Sequence, residues 1–151
     1  MSLWDWTLAA YARPGVPEAC LELQDRFGRN TSFLLWAAWA GGQGRAPDAA
    51  GFAGAAAIAR AWEAEVLGPL REARRRLKPA RPPVDDAARE GLREDVKAAE
   101  LRAERVLMET LEALTPSAGQ GGGREALRAA AEAWGGPPCA AELAALAAKI
   151  S

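Results

Sequence analysis

The sequence predicts an all-α protein: a helical bundle with a short buried Trp helix and a long antiparallel helical hairpin. Three observations lead there. The stretch Thr31-Ser32-Phe33-Leu34-Leu35-Trp36-Ala37-Ala38-Trp39-Ala40, closed by Gly41-Gly42, is apolar without a break from 33 to 40. A helix apolar on every side has to be surrounded by other elements, and at this length it is too short to span a bilayer, which takes ~20 residues. Next, Ala55, Ala59, Trp62, Val66, Leu70, Ala73 and Leu77 recur at spacings of 4, 3, 4, 4, 3 and 4, which is a helical period. Finally, no segment alternates apolar and polar residues as a half-buried strand would.

Composition bounds the rest. A chain of 151 residues fits one domain and can bury about two-thirds of its unfolded surface without staples. Half the residues are apolar, but 37 of them are Ala, the best helix former and a small contributor to a core. Core packing therefore falls on Leu, Val, Phe and the six Trp. The net charge of −1 gives no global attraction to nucleic acid or acidic membranes. The 16 Arg against 3 Lys, together with so much Ala and Gly, is the composition of a GC-rich genome, so arginine content alone argues for no guanidinium chemistry. Cys20 and Cys139 are too few and too distant for a disulfide framework. With no signal-peptide pattern and no apolar run of ~20 residues, the protein is expected to be soluble and cytoplasmic.

The first helix begins at Ser2, a good N-cap with Asp5 three residues on, and runs to Tyr11-Ala12. Trp4, Leu8 and Tyr11 form its stripe, Trp6 falls on another side, and Pro14-Gly15 stops it. Pro17 suits the first turn of a second helix, which runs to Arg26 or Phe27 and ends at Gly28, with Val16, Cys20, Leu23 and Phe27 on one face. Asn30 or Thr31 caps the Trp helix. Residues 41–54 read as a Gly-rich loop with a possible helix start at Asp48. The first long helix spans roughly Gly54 to Lys78, with a kink expected at Gly68-Pro69, where a backbone hydrogen bond is lost.

Pro79 to Pro83 makes a rigid turn. Asp85 or Asp86 caps a second long helix, to about Leu114. Its predicted seam is Leu92, Val96, Ala99, Ala103, Val106/Leu107, Thr110 and Leu114, with Leu101, Met108 and Leu111 off that face. The two long helices should pack antiparallel. Thr115-Pro116 ends the hairpin. The expected organisation is a bundle core over 1–114, a flexible linker over 115–123 and a short C-terminal helical pair over 124–151, docked on the same domain. The last pair, near 124–134 and 139–150, carries few large apolar residues and is expected to be the least stable part.

No catalytic constellation is visible. There is no His, which removes Ser-His and Cys-His pairs and His-containing metal sites. Asp85-Asp86 is followed by Ala87-Ala88-Arg89, without a third carboxylate, and reads as a helix cap. No catalytic residue, metal or cofactor is expected. The basic run Arg71, Arg74, Arg75, Arg76, Lys78 and Arg81 could grip phosphate or an acidic partner, but cations at a helix C-terminus also complement its dipole. Glu100 and Glu104 place like charges on one helical face, and arginines from the first long helix could pair with them across the hairpin. Trp36, Trp39 and Trp62 lie on apolar faces and read as core. Trp4 and Trp6 flank Asp5 and cannot both face inward. Cys139 lies near a helix N-terminus, which lowers thiol pKa, but it has no resolving partner and reads as structural.

The runs Trp6-Thr7-Leu8-Ala9-Ala10-Tyr11-Ala12-Arg13-Pro14-Gly15-Val16 and Ala19-Cys20-Leu21-Glu22-Leu23-Gln24-Asp25 resemble the opening of a family of small uncharacterised proteobacterial proteins, catalogued only as a domain of unknown function. The likeness continues in Leu34-Leu35-Trp36 with Trp39, in Trp62 with Val66, in Pro69-Leu70-Arg71, Arg74-Arg75 and Leu77-Lys78, and in Lys97-Ala98-Ala99-Glu100-Leu101 with Glu104. It covers roughly residues 3–114 and implies a bacterial cytoplasmic protein, with no activity or site residue attached.

By elimination the sequence points to a non-catalytic helical protein–protein interaction module, an adaptor or regulator of a cytoplasmic partner. Its expected surface joins Trp4, Trp6, Tyr11 and Arg13 with Arg71, Arg74 and Arg75. Self-association is open, while membrane and nucleic-acid partners are not expected. The alternative is a carrier or sensor of a small apolar ligand in a pocket lined by Trp36, Trp39 and Trp62. A third reading, weighted below both, is anion or nucleic-acid binding through the Arg face.

Overall fold

In the computed structural model, which describes residues 1–151, every regular element is a helix: α1 (Leu3–Tyr11), α2 (Val16–Asp25), α3 (Thr31–Gly42), α4 (Ala49–Trp62), a π-helical turn (Glu63–Leu67), α5 (Gly68–Arg76), α6 (Asp86–Ala113), α7 (Gly123–Trp134) and α8 (Ala140–Ile150). Four helices start where short polar side chains accept an orphan backbone N–H. Ser2 accepts from Asp5 N at 3.1 Å, Asn30 from Phe33 N at 2.9 Å, Asp48 from Gly51 N at 2.8 Å and Asp85 from Ala88 N at 2.9 Å.

The Trp helix α3 is the axis of the molecule. Every residue from Ser32 to Gly41 is buried. Its broadest neighbour is α7, followed by α6, with α1, α2 and α4 completing the enclosure. The contact with α7 is close because both helices carry small residues there. A side chain on Gly41 would stand 2.6 Å from both the Ala126 Cβ and the Gly122 carbonyl oxygen. Aromatic rings fill the wider gaps: Phe33 lies 5.7 Å from Trp36 and 5.7 Å from Trp134, and Phe52 meets Trp36 edge-on at 5.8 Å.

The first long helix runs through α4, the π turn and α5. The interruption expected at Gly68-Pro69 takes the form of the π turn just before it, with Gly68 N–H reaching back to the Glu63 carbonyl. Pro69 has no N–H to continue the α ladder and its ring crowds the preceding turn, so the wider turn accommodates it. The π turn also changes the phase. Leu67 is buried, while Val66 and Leu70 are half-buried and α5 has no buried residue at all.

Helix α6 returns antiparallel to α5, as Arg74 meets Glu100 and Arg89 meets the Leu77 carbonyl. The predicted seam of α6 needs correction. Its buried residues are Arg89, Glu100, Ala103, Leu107, Met108 and Leu111. Leu92, Val106 and Leu114 are exposed. The burial follows the neighbours α3 and α5, and charged residues occupy part of the covered stripe.

Residues 115–123, whose composition suggests a flexible linker, are tied to the loop after α3. Ala46 and Gln120 exchange backbone bonds of 3.1 and 3.0 Å, Gly119 N donates to Gly44 O at 2.9 Å, and Gly122 N to Gly41 O at 2.9 Å. Arg45 Nε adds a bond to Pro116 O at 2.8 Å. Helices α7 and α8 share the core: Leu127, Ala130 and Leu146 are fully buried.

Candidate functional site

Helix α1 lies antiparallel on the C-terminal half of α6, with Leu3 N–H donating to Glu112 Oε1 at 3.0 Å. Leu3, Thr7 and Ala10 turn inward. Trp4, Leu8 and Tyr11, one residue on and about 100° around the helix, flank that face: Trp4 packs against the edge of the core and Leu8 is exposed. Leu8 is 52 % exposed, and on α6 Leu101 is 54 % and Val106 40 % exposed. Beside them runs a groove of about 450 Å³ lined by Trp4, Ala98, Leu101, Arg102, Arg105, Val106 and Glu109. The Arg105 guanidinium sits 5.4 Å over the Trp4 ring, a cation–π contact, and pairs with Glu109 at 2.9 Å.

Beneath the Tyr11 end of α1, the π turn, α5 and α6 gather a cluster of charges. Arg71 Nη1 bonds Glu63 Oε1 at 2.8 Å and its Nε lies 3.5 Å from Glu100 Oε1. Arg74 Nε bonds the other Glu100 oxygen at 2.7 Å. Asn30 Nδ2 approaches Glu63 at 3.4 Å. The cross-hairpin pairing expected for Glu100 is thus present. Burial works against the charge on Arg71, but the hydrogen bond and charge of Glu63, with Glu100 beyond, raise its pKa above the ordinary value. Glu104 forms no ion pair, and burial first, then the neighbouring Glu100 charge, raises its pKa. Tyr11 lies against the Cys20 thiol. Burial, with Cys20 and Glu104 nearby, raises the phenol, and burial pushes Cys20 up to about 11.

The residues expected to form one surface are therefore divided. Trp4 and Tyr11 lie along the α1–α6 face. Trp6 points elsewhere, into a cavity of about 320 Å³ shared with Trp39, Leu127, Arg124 and Ile150. Arg13 donates to the backbone carbonyls of Lys149 at 3.2 Å and Ser151 at 2.9 Å, tying the α1–α2 turn to the end of α8. Arg71 and Arg74 face inward to carboxylates. Arg75 is exposed and borders a cavity of about 330 Å³ between the end of α2, the π turn and Trp134. Arg76 pairs with Glu72 at 2.8 Å.

The three core tryptophans also go separate ways. Trp36 is fully enclosed and donates to Thr115 Oγ1 at 2.8 Å. Trp62 donates to Ala103 O at 2.9 Å. Trp39 is buried with its Nε1 unpartnered and alone among the three borders the Trp6 cavity. At the start of α8, Cys139 is the N-cap residue, yet burial raises its pKa and outweighs the lowering by Arg29. Sequence reasoning missed Leu8, Arg102 and Arg105 as surface features, and missed Glu63 as the anchor for Arg71. The exposed leucine at a stripe position was the available signal; Glu63 offered none.

Chemically, this is an all-α bundle with an apolar groove on one face and a charge cluster under one end of it. The chain belongs to the family described as "Protein of unknown function (DUF2390)", whose model matches residues 2–111, from α1 into α6. No curated protein and no solved structure matches the chain. No helix is long and apolar enough to cross a membrane, and no three His, Cys, Asp or Glu side chains are grouped to hold a metal ion.

Proposed function

We propose that this chain is a non-catalytic helical protein-interaction module of the bacterial cytoplasm, docking a partner helix along the α1–α6 groove. The observation that carries this reading is the exposure of Leu101 and Val106 in a groove walled by Trp4, with Leu8 exposed one turn along α1 from Trp4. Apolar side chains lining a groove with an aromatic anchor suit an amphipathic helix. Arg102 forms no ion pair within the chain and stands at the groove's rim, so the complementary helix carries acidic residues beside its apolar stripe. The Leu3 N–H bond to Glu112 and the Arg105 contact with the Trp4 ring hold α1 on α6, which keeps the groove pre-formed. Arg71 and Arg74 are engaged by Glu63 and Glu100, which leaves Arg75, Arg76, Lys78 and Arg81 as the exposed part of the basic run and weakens the reading of that run as a nucleic-acid face.

The test is affinity capture from a native lysate with the wild-type chain and the Leu101→Glu variant side by side, folding checked by circular dichroism. A protein retained by the wild type and lost by the variant supports the reading. Recovery of the chain alone, or equal capture by both, overturns it.

A second reading keeps support from one observation. The unpartnered Trp39 indole N–H beside the Trp6 cavity suits an apolar ligand with one acceptor group. Tryptophan fluorescence against a panel of lipophilic carboxylates tests it, and an unchanged spectrum throughout retires it.

A further inference from the structure

Arg29 is 5 % exposed and takes part in none of the chain's ion pairs. Its Nη1 donates to Phe27 O at 2.7 Å, and its Nε has no partner. The other buried arginine, Arg89, also has an unpartnered Nε, but its charge is matched by Asp86 and Glu90; the missing counter-charge sets Arg29 apart. Arg74 shows what the Nε side of a guanidinium does when a carboxylate is available: it grips Glu100 with Nε and Nη2 together. A buried guanidinium without a counter-charge is costly unless an anion is brought to it.

The surroundings of Arg29 fit such an anion. Arg29 borders a cavity of about 410 Å³ together with Arg128 and the start of α8 at Cys139 and Ala140. The N-cap Cys139 gives no side-chain cap bond, so first-turn N–H groups of an 11-residue helix face this end uncapped. Helix N-termini and arginine forks are the two elements that recur around phosphate groups. Gly136, at φ +109, lets the loop close on the guanidinium, since a Cβ there would lie 2.6 Å from Arg29 Nη1. Glu132 on the cavity wall and Glu142 in the first turn of α8 are the carboxylates on this side, Asp25 and Glu63 border a second cavity on the other side of Arg29, and none of the four pairs with it.

We infer that the cavity between Arg29, Arg128 and the N-terminus of α8 binds a phosphate group. It is separate from the α1–α6 groove and independent of the interaction reading. The cavity floor includes Ala131 and Leu143, so an organic phosphate monoester fits it better than the bare ion.

The full chain is titrated by calorimetry at low ionic strength with inorganic phosphate and, separately, phenyl phosphate. Both bind, with phenyl phosphate the tighter; inorganic phosphate binding equally well assigns the site to the free ion. Arg128→Ala, an exposed position, weakens binding about tenfold, as expected for one lost charge-assisted contact, and leaves helicity unchanged. Arg29→Gln abolishes binding when it folds, and Arg128→Ala decides the matter when it does not. No binding of either probe to the wild type, or wild-type affinity in the deciding variant, overturns the proposal.

Discussion

Arg74 holds Glu100 through both nitrogens of one guanidinium edge, Nε at 2.7 Å and Nη2 at 3.5 Å, across the seam between α5 and α6. The pair is largely shielded, and Arg71 reaches the same carboxylate. Glu100→Ala leaves two arginines facing a seam without that acceptor. Losing one partner of a shielded pair costs about 3 kcal/mol, read as a lower urea midpoint with unchanged slope. A double-mutant cycle with Arg74→Ala gives a favourable coupling energy; additive effects would mean that the pair is only geometric.

Glu104 titrates in the opposite sense from a salt-bridged carboxylate. Its folded pKa is raised above the ordinary 4.5, so between those two values the native state binds more protons than the unfolded one. Stability contributed by this group is then present below 4.5 and is lost as pH rises through the folded value. Glu104→Gln removes that loss. The variant is more stable than wild type at neutral pH, and its advantage shrinks on acidification. Denaturation midpoints measured from acid to neutral pH check this, and a parallel pair of curves would refute it.

The seat of α7 on α3 depends on Gly41. Gly41→Ala drives a methyl into Ala126 and the Gly122 carbonyl and costs about 2 kcal/mol through overpacking. Gly42→Ala, one residue on, meets nothing within 4 Å and is neutral or slightly stabilising. Hydrogen exchange of α7 should accelerate in the first variant and not in the second.

Trp36 and Thr115 make a further pair whose loss is readable. Thr115→Val keeps the shape but leaves the enclosed indole N–H without its acceptor, at a cost of about 1–2 kcal/mol. Thermal unfolding of this variant against Trp36→Phe, which removes the donor as well, separates the hydrogen bond from the packing.

Much of this was legible in the sequence, for physical reasons. Ser2, Asn30 and Asp85 mark helix starts to within a residue because their side chains satisfy nearby backbone donors, and Asp48, a possible start in the sequence, begins α4 at Ala49, five residues before the expected Gly54. The Trp helix announces its burial because no polar residue interrupts 33–40. The face of α6 was not legible. Leu92, Val106 and Leu114 look like core and are exposed, whereas Arg89 and Glu100 are covered. Which side is covered depends on α3 and α5, far away in the chain, and on ion pairs that only the fold can assemble. That α7 and α8 dock was expected, but the partner of α7 was hidden, because its contact with α3 rests on the closeness of Gly41 and Ala126 rather than on large side chains. The Arg29 cavity carries no local signature, since its parts come from the α2–α3 loop, α7 and the start of α8 and meet only in the folded chain.

The π turn has a consequence for chain length. Each residue of an α-helix advances the azimuth by about 100°, and the wider turn absorbs one residue without that advance. The bearing of Arg71 and Arg74 toward Glu100 is therefore indexed by how many residues lie between Trp62 and Gly68. A homologue one residue shorter there would run as an unbroken α-helix and aim the same arginines at the same carboxylate. One of equal length that straightened would swing them out into solvent.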